Sequence, residues 1–306
     1  MENKKVLVTG GSGMVGCSLR DIMPNAIYLS SKDCDLTDPI SVDSLIKYHR
    51  PDVIIHLAAK VGGIIDNINK PAEYFDDNVI MNTLLLKATH KYNVKRFIGI
   101  LSTCIYPDKV ETYPMTEDML HEGPPTPTNF SYGYAKRCLG VQIDAYNQQY
   151  GTKYQYLTPC NLYGEFDKWG VNSHFVAALI KKIIIADRKG QELVQLFGTG
   201  KPLRQFMYSN DLARVIKNCI DFDITQSFNV ATKENLSIND ISHIALEAIQ
   251  PKYVKGFVYD SAKPDGQYRK DVSIKKMENI LPGFEFTPLT EGIRNTYKKI
   301  KDKGLF

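Results

Sequence analysis

Short apolar runs alternate with amphipathic stretches through the first half of the chain. Val6-Leu7-Val8 is a brief β run that stops at Gly10, and Met14 to Met23 reads as the helix behind it. Ala26 to Leu29 predicts a second strand and Ile40 to His49 a second helix. Asp52 to Leu57 is apolar on both faces, as a strand in the middle of a sheet must be. Asn78 to Tyr92 predicts a helix, and Arg96 to Leu101 a strand with Ser102 at its carboxyl end. Tyr132 to Tyr150 predicts a long helix and Tyr154 to Thr158 another strand. This alternation predicts an α/β fold, a doubly wound parallel sheet with ligands gathered at the carboxyl ends of its strands.

The pattern loosens after Tyr163. Val194 to Phe197 and Arg204 to Tyr208 read as strands, and helices follow from Leu236, with a Pro/Gly-rich stretch at Lys263 to Gly266. Pro107 to Phe130 is a long connection rich in Pro and Thr, and loops of that length are usually functional. The expected division is a nucleotide-binding domain over residues 1–162, with 204–230 returning to it. Residues 163–203 and 231–306 would form a smaller α/β substrate-binding region. There is no internal repeat.

Composition narrows the class without naming it. The 306 residues can bury a sizeable core, and 43% hydrophobic with 24% charged is ordinary for a globular chain. A formal net charge of +4 is too small to imply a nucleic-acid partner, yet suits an anionic small molecule. No run approaches 18 apolar residues, so no membrane span is expected. The first residues lead directly into a strand rather than an apolar signal region. The six cysteines form no CxxC pair and no zinc-like spacing with histidine, so no metal is expected and they read as reduced thiols of a cytoplasmic protein.

The chemistry begins at Gly10-Gly11-Ser12-Gly13-Met14-Val15-Gly16, a GxxGxxG turn between the first strand and first helix. Glycines allow a tight turn and close backbone approach, and a helix N-terminus favours a pyrophosphate. A lone glycine motif is weak; in this βαβ setting it predicts a Rossmann-like dinucleotide site. NAD sites place a carboxylate about 20 residues on, for the ribose 2′-hydroxyl. Here that place holds Ser30-Ser31-Lys32, two hydroxyls and a cation that suit a 2′-phosphate, so NADP or NADPH is the expected cofactor, with Asp35 and Leu36 near the adenine.

Tyr132 and Lys136 stand four apart and share one helix face. An ammonium beside a phenol lowers its pKa from about 10, fitting tyrosine to donate a proton. Ser102 can hydrogen-bond the same carbonyl oxygen. A Tyr-x-x-x-Lys pair alone arises often by chance, but behind a nucleotide turn and beside a strand-end serine it is what a ketone reductase needs.

With these features the chain resembles the extended short-chain dehydrogenase/reductases that act on nucleotide sugars. Dehydratases of that superfamily carry Asp-Glu after the Ser/Thr; this chain has Ser102-Thr103-Cys104-Ile105-Tyr106-Pro107, which is similar to the GDP-L-fucose synthase family. Matching stretches are Ala58-Ala59-Lys60-Val61-Gly62-Gly63-Ile64, Pro159-Cys160-Asn161-Leu162-Tyr163-Gly164, Asn172-Ser173-His174 and Lys263-Pro264-Asp265-Gly266. The resemblance implies a bifunctional 3,5-epimerase/4-reductase of a GDP-4-keto-6-deoxy sugar, with Cys104 and His174 as the epimerising pair. Inverting a carbon α to a ketone takes a base on one face and an acid on the other, and thiol and imidazole both titrate near neutrality. Taken alone, Cys104 reads as a small buried hydrophobe and His174 as a core histidine.

The resemblance further implies that Leu57, Ala58, Ala59, Leu101, Pro159, Asn161, Leu162 and His174 line the cofactor. Asn161, Lys182, Phe197, Arg204, Asp265 and Lys270 would hold the GDP-sugar, cations on the diphosphate and Phe197 against the base. It implies a homodimer pairing the helices near 78–92 and 132–150. Departures from the family pattern are Ser12 and Lys182 for Arg, Phe197 for Trp, Cys160 for Thr, and a shortened loop at Glu165 to Val171. Two other readings stay open: a C4-reductase without epimerase activity, on a related GDP-4-keto sugar such as a heptose, and a catalytically silent NADP-binding module.

Overall fold

A computed structural model describes residues 4–170, 173–263 and 265–304. Val171, Asn172 and Pro264, which belong to stretches singled out above, lie outside the described residues.

Buried apolar runs form the strands of the main sheet: β1 (Val6–Thr9), β2 (Ile27–Leu29), β3 (Val53–His56), β4 (Arg96–Ile100), β5 (Lys153–Pro159) and, later in the chain, β10 (Phe228–Val230). They are parallel, in the order β10-β5-β4-β3-β1-β2. The order reverses between β1 and β3, and a crevice opens at such a switch point outside the strand ends. Helices α1 (Met14–Ile22), α2 (Pro39–His49), α3 (Ile64–Asn69), α4 (Pro71–Lys91) and α5 (Phe130–Tyr150) connect these strands. Local chemistry sets their ends. Asp38 caps α2 by accepting from Ser41 N at 2.7 Å, and Gly151, at φ 65°, ends α5.

The second half uses shorter pieces: β6 (Asn161–Tyr163), α6 (Phe175–Arg188), β7 (Leu193–Phe197), β8 (Leu203–Arg204), β9 (Phe206–Tyr208), α7 (Ser209–Asp221), β11 (Leu236–Ser237), α8 (Ile238–Ile249), β12 (Gly256–Asp260), α9 (Lys275–Ile280) and α10 (Leu289–Asp302). Strands pair only two by two, β6 with β9, β7 with β12 and β8 with β11. One buried cluster runs along the parallel sheet, and takes in Val272, Met277 and Leu281 from far down the chain. Another joins α6, α8 and α10 through residues such as Ile180, Ile183, Ile241, Ile293 and Ile300.

Several elements differ from the sequence expectation. The helix expected from Asn78 starts at Pro71, because proline is well placed in a first turn where its missing N–H costs nothing. The strand expected over 204–208 splits at Gln205, whose side chain bonds to Val272 and Thr232. The stretch after Tyr163 contains α6, whose buried Val176, Leu179, Ile180 and Ile183 fall on one helical face. Within the long 107–130 connection lie two single-turn 3-10 helices, at 117–121 and 127–129.

Candidate active site

The candidate residues of the first half converge on one edge of the sheet. Gly10 follows β1, Ser30 to Lys32 follow β2, Leu57 to Ala59 follow β3, Leu101 and Ser102 follow β4, and Pro159 ends β5. Asn161 and Leu162 lie just beyond on β6, where Asn161 Nδ2 donates to the Gln205 carbonyl at 2.8 Å. The turn after β1 is closed by Gly13 N donating to the Gly10 carbonyl at 3.0 Å. At Gly10, φ is +71° and an added Cβ would stand 2.7 Å from the Ala58 nitrogen, so only glycine fits. Gly13 is the N-cap of α1 without a side-chain bond, no acidic residue occupies the first turn, and Met14, Val15 and Gly16 open the helix. Its N–H groups are therefore left for an anion.

Past β2, Asp33 takes both Ser30 N and Ser30 Oγ at 2.7 Å, and these bonds hold its carboxyl below the usual range. Asp35 accepts from Thr37 N and Oγ1 at 2.9 and 2.7 Å, with Leu36 packed against the core beside it. Ser31 and Lys32 are exposed. A carboxylate thus engages the first of the two hydroxyls that sequence set aside for a phosphate.

Ser102 caps the 3-10 turn Thr103–Ile105, which presents Cys104; Cys104 N donates to Ser102 Oγ at 3.3 Å. Tyr132 and Lys136 come from the start of α5, which packs over that turn; at Gly133 a Cβ would stand 2.7 Å from the Cys104 carbonyl oxygen. Burial, the Cys104 sulfur and Tyr74 all raise the Tyr132 phenol above its ordinary value. Lys136 donates to the Ile100 carbonyl at 2.8 Å, and burial pulls it down to about 8. The expected lowering of the phenol by the lysine does not hold here: burial penalises the phenolate and the phenol stands above its ordinary value.

Lys270 Nζ lies 3.7 Å from Cys104 Sγ. Burial alone would raise this thiol. The Lys270 charge and hydrogen bonds from Ser102, Lys270 and Asn129 outweigh it, and hold Cys104 below its ordinary value. His174, N-cap of α6, bonds through Nδ1 to Asp167 Oδ1 at 2.8 Å. That bond raises the imidazole above its ordinary value against the opposing effect of burial. Asp167 also accepts from Lys168 N at 2.7 Å, and its buried Oδ2 has no hydrogen-bond partner.

The remaining GDP candidates include Lys182, Phe197, Asp265 and Arg204, the last of which reaches toward the thiol. Lys182 Nζ sits 4.8 Å from the centre of the exposed Phe197 ring and donates to the Gln195 carbonyl at 2.9 Å. Asp265 accepts from Thr199 N and Oγ1 at 2.6 and 2.7 Å, beside Gly198. Arg204, which donates to the Leu203 carbonyl at 2.7 Å, feels both Cys104 and Asp265. Lys270, the last of these candidates, has its ammonium turned onto the Cys104 sulfur. Asp167 and Asn129 were missed in the sequence: one lies seven positions before its histidine, the other three before its tyrosine, and neither spacing marks a motif.

Comparisons agree with this geometry. The family model described as NAD dependent epimerase/dehydratase matches residues 6–231. A GDP-L-fucose synthase of Dictyostelium discoideum is 37% identical, over 96% of this chain and 94% of its own length. A GDP-L-colitose synthase of Yersinia pseudotuberculosis is 35% identical over 87% and 88%. The crystal structure of a GDP-L-fucose synthetase from Naegleria fowleri, bound to NADP, superposes with a TM-score of 0.91 at 34% identity, over 100% of this chain and 95% of that one. With the family model covering most of the chain and a relative 37% identical over nearly its full length, the chain belongs to the NAD dependent epimerase/dehydratase family.

Proposed function

We propose that this protein is an NADPH-dependent 3,5-epimerase/4-reductase of a GDP-4-keto-6-deoxy sugar, working as the GDP-L-fucose synthases it resembles. The observation that carries the reading is that the Ser102/Tyr132/Lys136 set shares its pocket with a thiol held low by an ammonium. A thiol beside an ammonium favours carbon–hydrogen chemistry over reduction alone.

The residues fit the cofactor. The uncapped N-terminus of α1 suits its pyrophosphate, and the space at Gly10 admits backbone but no side chain. Ser30, Ser31 and Lys32 would face the ribose, with Leu57 to Ala59, Leu101, Lys136, Pro159 and Leu162 along the remainder. The naming of NADP in the Naegleria structure supports that choice. When bound, the cofactor supplies the hydride for C4.

In the epimerase half, Cys104 takes the proton from carbon, Ser102 and Tyr132 hydrogen-bond the enolate oxygen, and His174, whose protonated form Asp167 favours, returns a proton from the other face. In the reductase half, Tyr132 gives its proton to the C4 oxygen, and Lys136 fixes the phenol's surroundings. Lys182, Arg204 and Asp265 hold the GDP, with Phe197 offering a stacking face. The chain works as a cytoplasmic homodimer, whose contact surface includes the exposed Phe75, Ile80, Val141 and Tyr150 on α4 and α5.

Proton NMR with NADPH and GDP-4-keto-6-deoxymannose in D2O tests the reading. Deuterium at C3 and C5 with formation of a reduced sugar is expected. Reduction without exchange would overturn the epimerase half and leave a C4-reductase.

A further inference from the structure

Of three charged residues in a row, Arg269, Lys270 and Asp271, the outer two neutralise each other. Arg269 Nε and Nη2 donate to the Asp271 carboxylate at 2.6 and 3.0 Å. Lys270 has no carboxylate partner among the described residues, and its ammonium reaches a sulfur 166 positions away in sequence.

The backbone around Lys270 is anchored. Met115 N donates to the Asp271 carbonyl at 2.9 Å and Ser273 N to the Met115 carbonyl at 2.7 Å. Val272 N donates to Gln205 Oε1 at 2.9 Å, and Gln205 Nε2 donates back to the Val272 carbonyl at 3.2 Å. Met115 belongs to the connection that follows Cys104, so these contacts tie the segment carrying the lysine to the segment that leads away from the thiol. The placement is built in, and does not depend on a free surface side chain.

We propose that Lys270 is a positioning residue for Cys104, holding its sulfur as the thiolate that takes a proton from carbon, and is not a ligand of the GDP diphosphate. The proposal rests on the epimerase reading above. The thiolate accepts the proton and becomes S–H, while the electron pair of the broken C–H bond passes to the ketone oxygen as enolate. Asn129 and Ser102 complete the donors around the sulfur. Arg204 adds a second positive charge nearby, and the Tyr132 hydroxyl faces the same group.

The other thiols supply a contrast. Burial raises Cys17, Cys34 and Cys138, and takes Cys160 and Cys219 up to about 12. Cys104 is the one that goes down, although burial acts on it too. The Lys270 charge acts on Cys160 as well, but its ammonium bonds the Cys104 sulfur at 3.7 Å, with Ser102 and Asn129 beside it, and that contact is the difference. The diphosphate has other cations to meet it: Lys182 and Lys263 flank the Phe197 ring at 4.8 and 5.9 Å.

The test is the pH profile of iodoacetamide labelling at Cys104, read on its own peptide by mass spectrometry, with Cys104→Ser as the blank. Wild type, Lys270→Met and Lys270→Arg are compared without substrate, alongside GDP titration by calorimetry. The expected result is a labelling midpoint raised by about one pH unit or more in Lys270→Met. Lys270→Arg keeps the wild-type midpoint, and GDP affinity changes less than about threefold, below the 1.4 kcal/mol of a tenfold step. An unmoved midpoint in Lys270→Met, or a GDP affinity that collapses with it, would overturn the proposal. If Lys270→Met does not fold, Lys270→Gln carries the same comparison. Missing deuterium exchange in the wild type would instead strike the epimerase reading, because the labelling needs no sugar.

Discussion

Ser102, Tyr132 and Lys136 are held by one strand and one long helix, whose buried faces belong to the main core. His174 and Lys270 are held by loops. His174 leans on Asp167 of the segment before α6, itself tied down by Glu165, which receives Tyr208 Oη at 2.7 Å and a short bond from Lys299. Lys270 depends on Met115, Gln205 and an Arg269–Asp271 pair. Regular elements thus place the reducing groups and, on the turn after Ser102, Cys104, whereas long-range side-chain bonds place His174 and Lys270. A fold that keeps its sheet can therefore change its carbon chemistry by altering a few loop residues.

The largest expected effect lies in the rigid half. Tyr132→Phe removes the proton donor without a cavity, and general acid catalysis contributes about 10²–10⁴-fold. NADPH-dependent ketone reduction should fall by that factor, while solvent-deuterium exchange at C3 and C5 falls less, because Ser102 still holds the enolate oxygen. Equal loss of the two activities in single-turnover and exchange assays would break the separation between the halves.

That division also decides what was legible in the sequence. The glycine turn, the Tyr132/Lys136 pair and Ser102 at a strand end are short-range patterns, and periodicity alone placed β1, β3, β4 and α5 within a few residues. The partner of His174 could not be read in that way, because a carboxylate seven positions upstream has no periodic relation to it. Nor could Lys270 on Cys104, a contact that exists only once the 271–273 segment pairs with Met115. The helix α6 was readable from Val176, Leu179, Ile180 and Ile183, but the irregular stretch before it masked its start.

A smaller effect compares the halves at their glycines. Gly10 and Gly190 both have positive φ, at +71° and +67°, yet a Cβ on Gly10 meets the Ala58 backbone at 2.7 Å while one on Gly190 meets nothing within 4 Å. Gly190→Ala should cost about 1–2 kcal/mol, the ordinary left-handed penalty, and leave NADP affinity unchanged. Gly10→Ala pays that strain and must also push β1 from β3, so it should melt earlier than Gly190→Ala and lose cofactor affinity. Equal melting temperatures by calorimetry would show that the turn yields where the packing says it cannot.

The smallest effect is also the most specific to the loop half. Asp167 stabilises the imidazolium of His174, so the folded-state value stands above the ordinary 6.5. A histidine raised in this way contributes its stability fully below 6.5 and loses it as pH rises through the raised value. The His174 side chain is 56% exposed, so solvent screens the pair and the effect on overall stability is small. The effect on chemistry is a matter of protonation. Asp167→Asn keeps the shape and an accepting oxygen but removes the charge, which should move the alkaline fall of C3/C5 exchange to lower pH by about one unit. Above both limbs exchange then runs about tenfold slower, and well below both limbs the variant matches wild type. Reduction of an already epimerised ketone keeps its wild-type pH profile, because Tyr132 and Lys136 draw nothing from that loop. A profile that drops evenly at every pH would mean that Asp167 only holds the loop in place, and would separate the charge of the pair from its geometry.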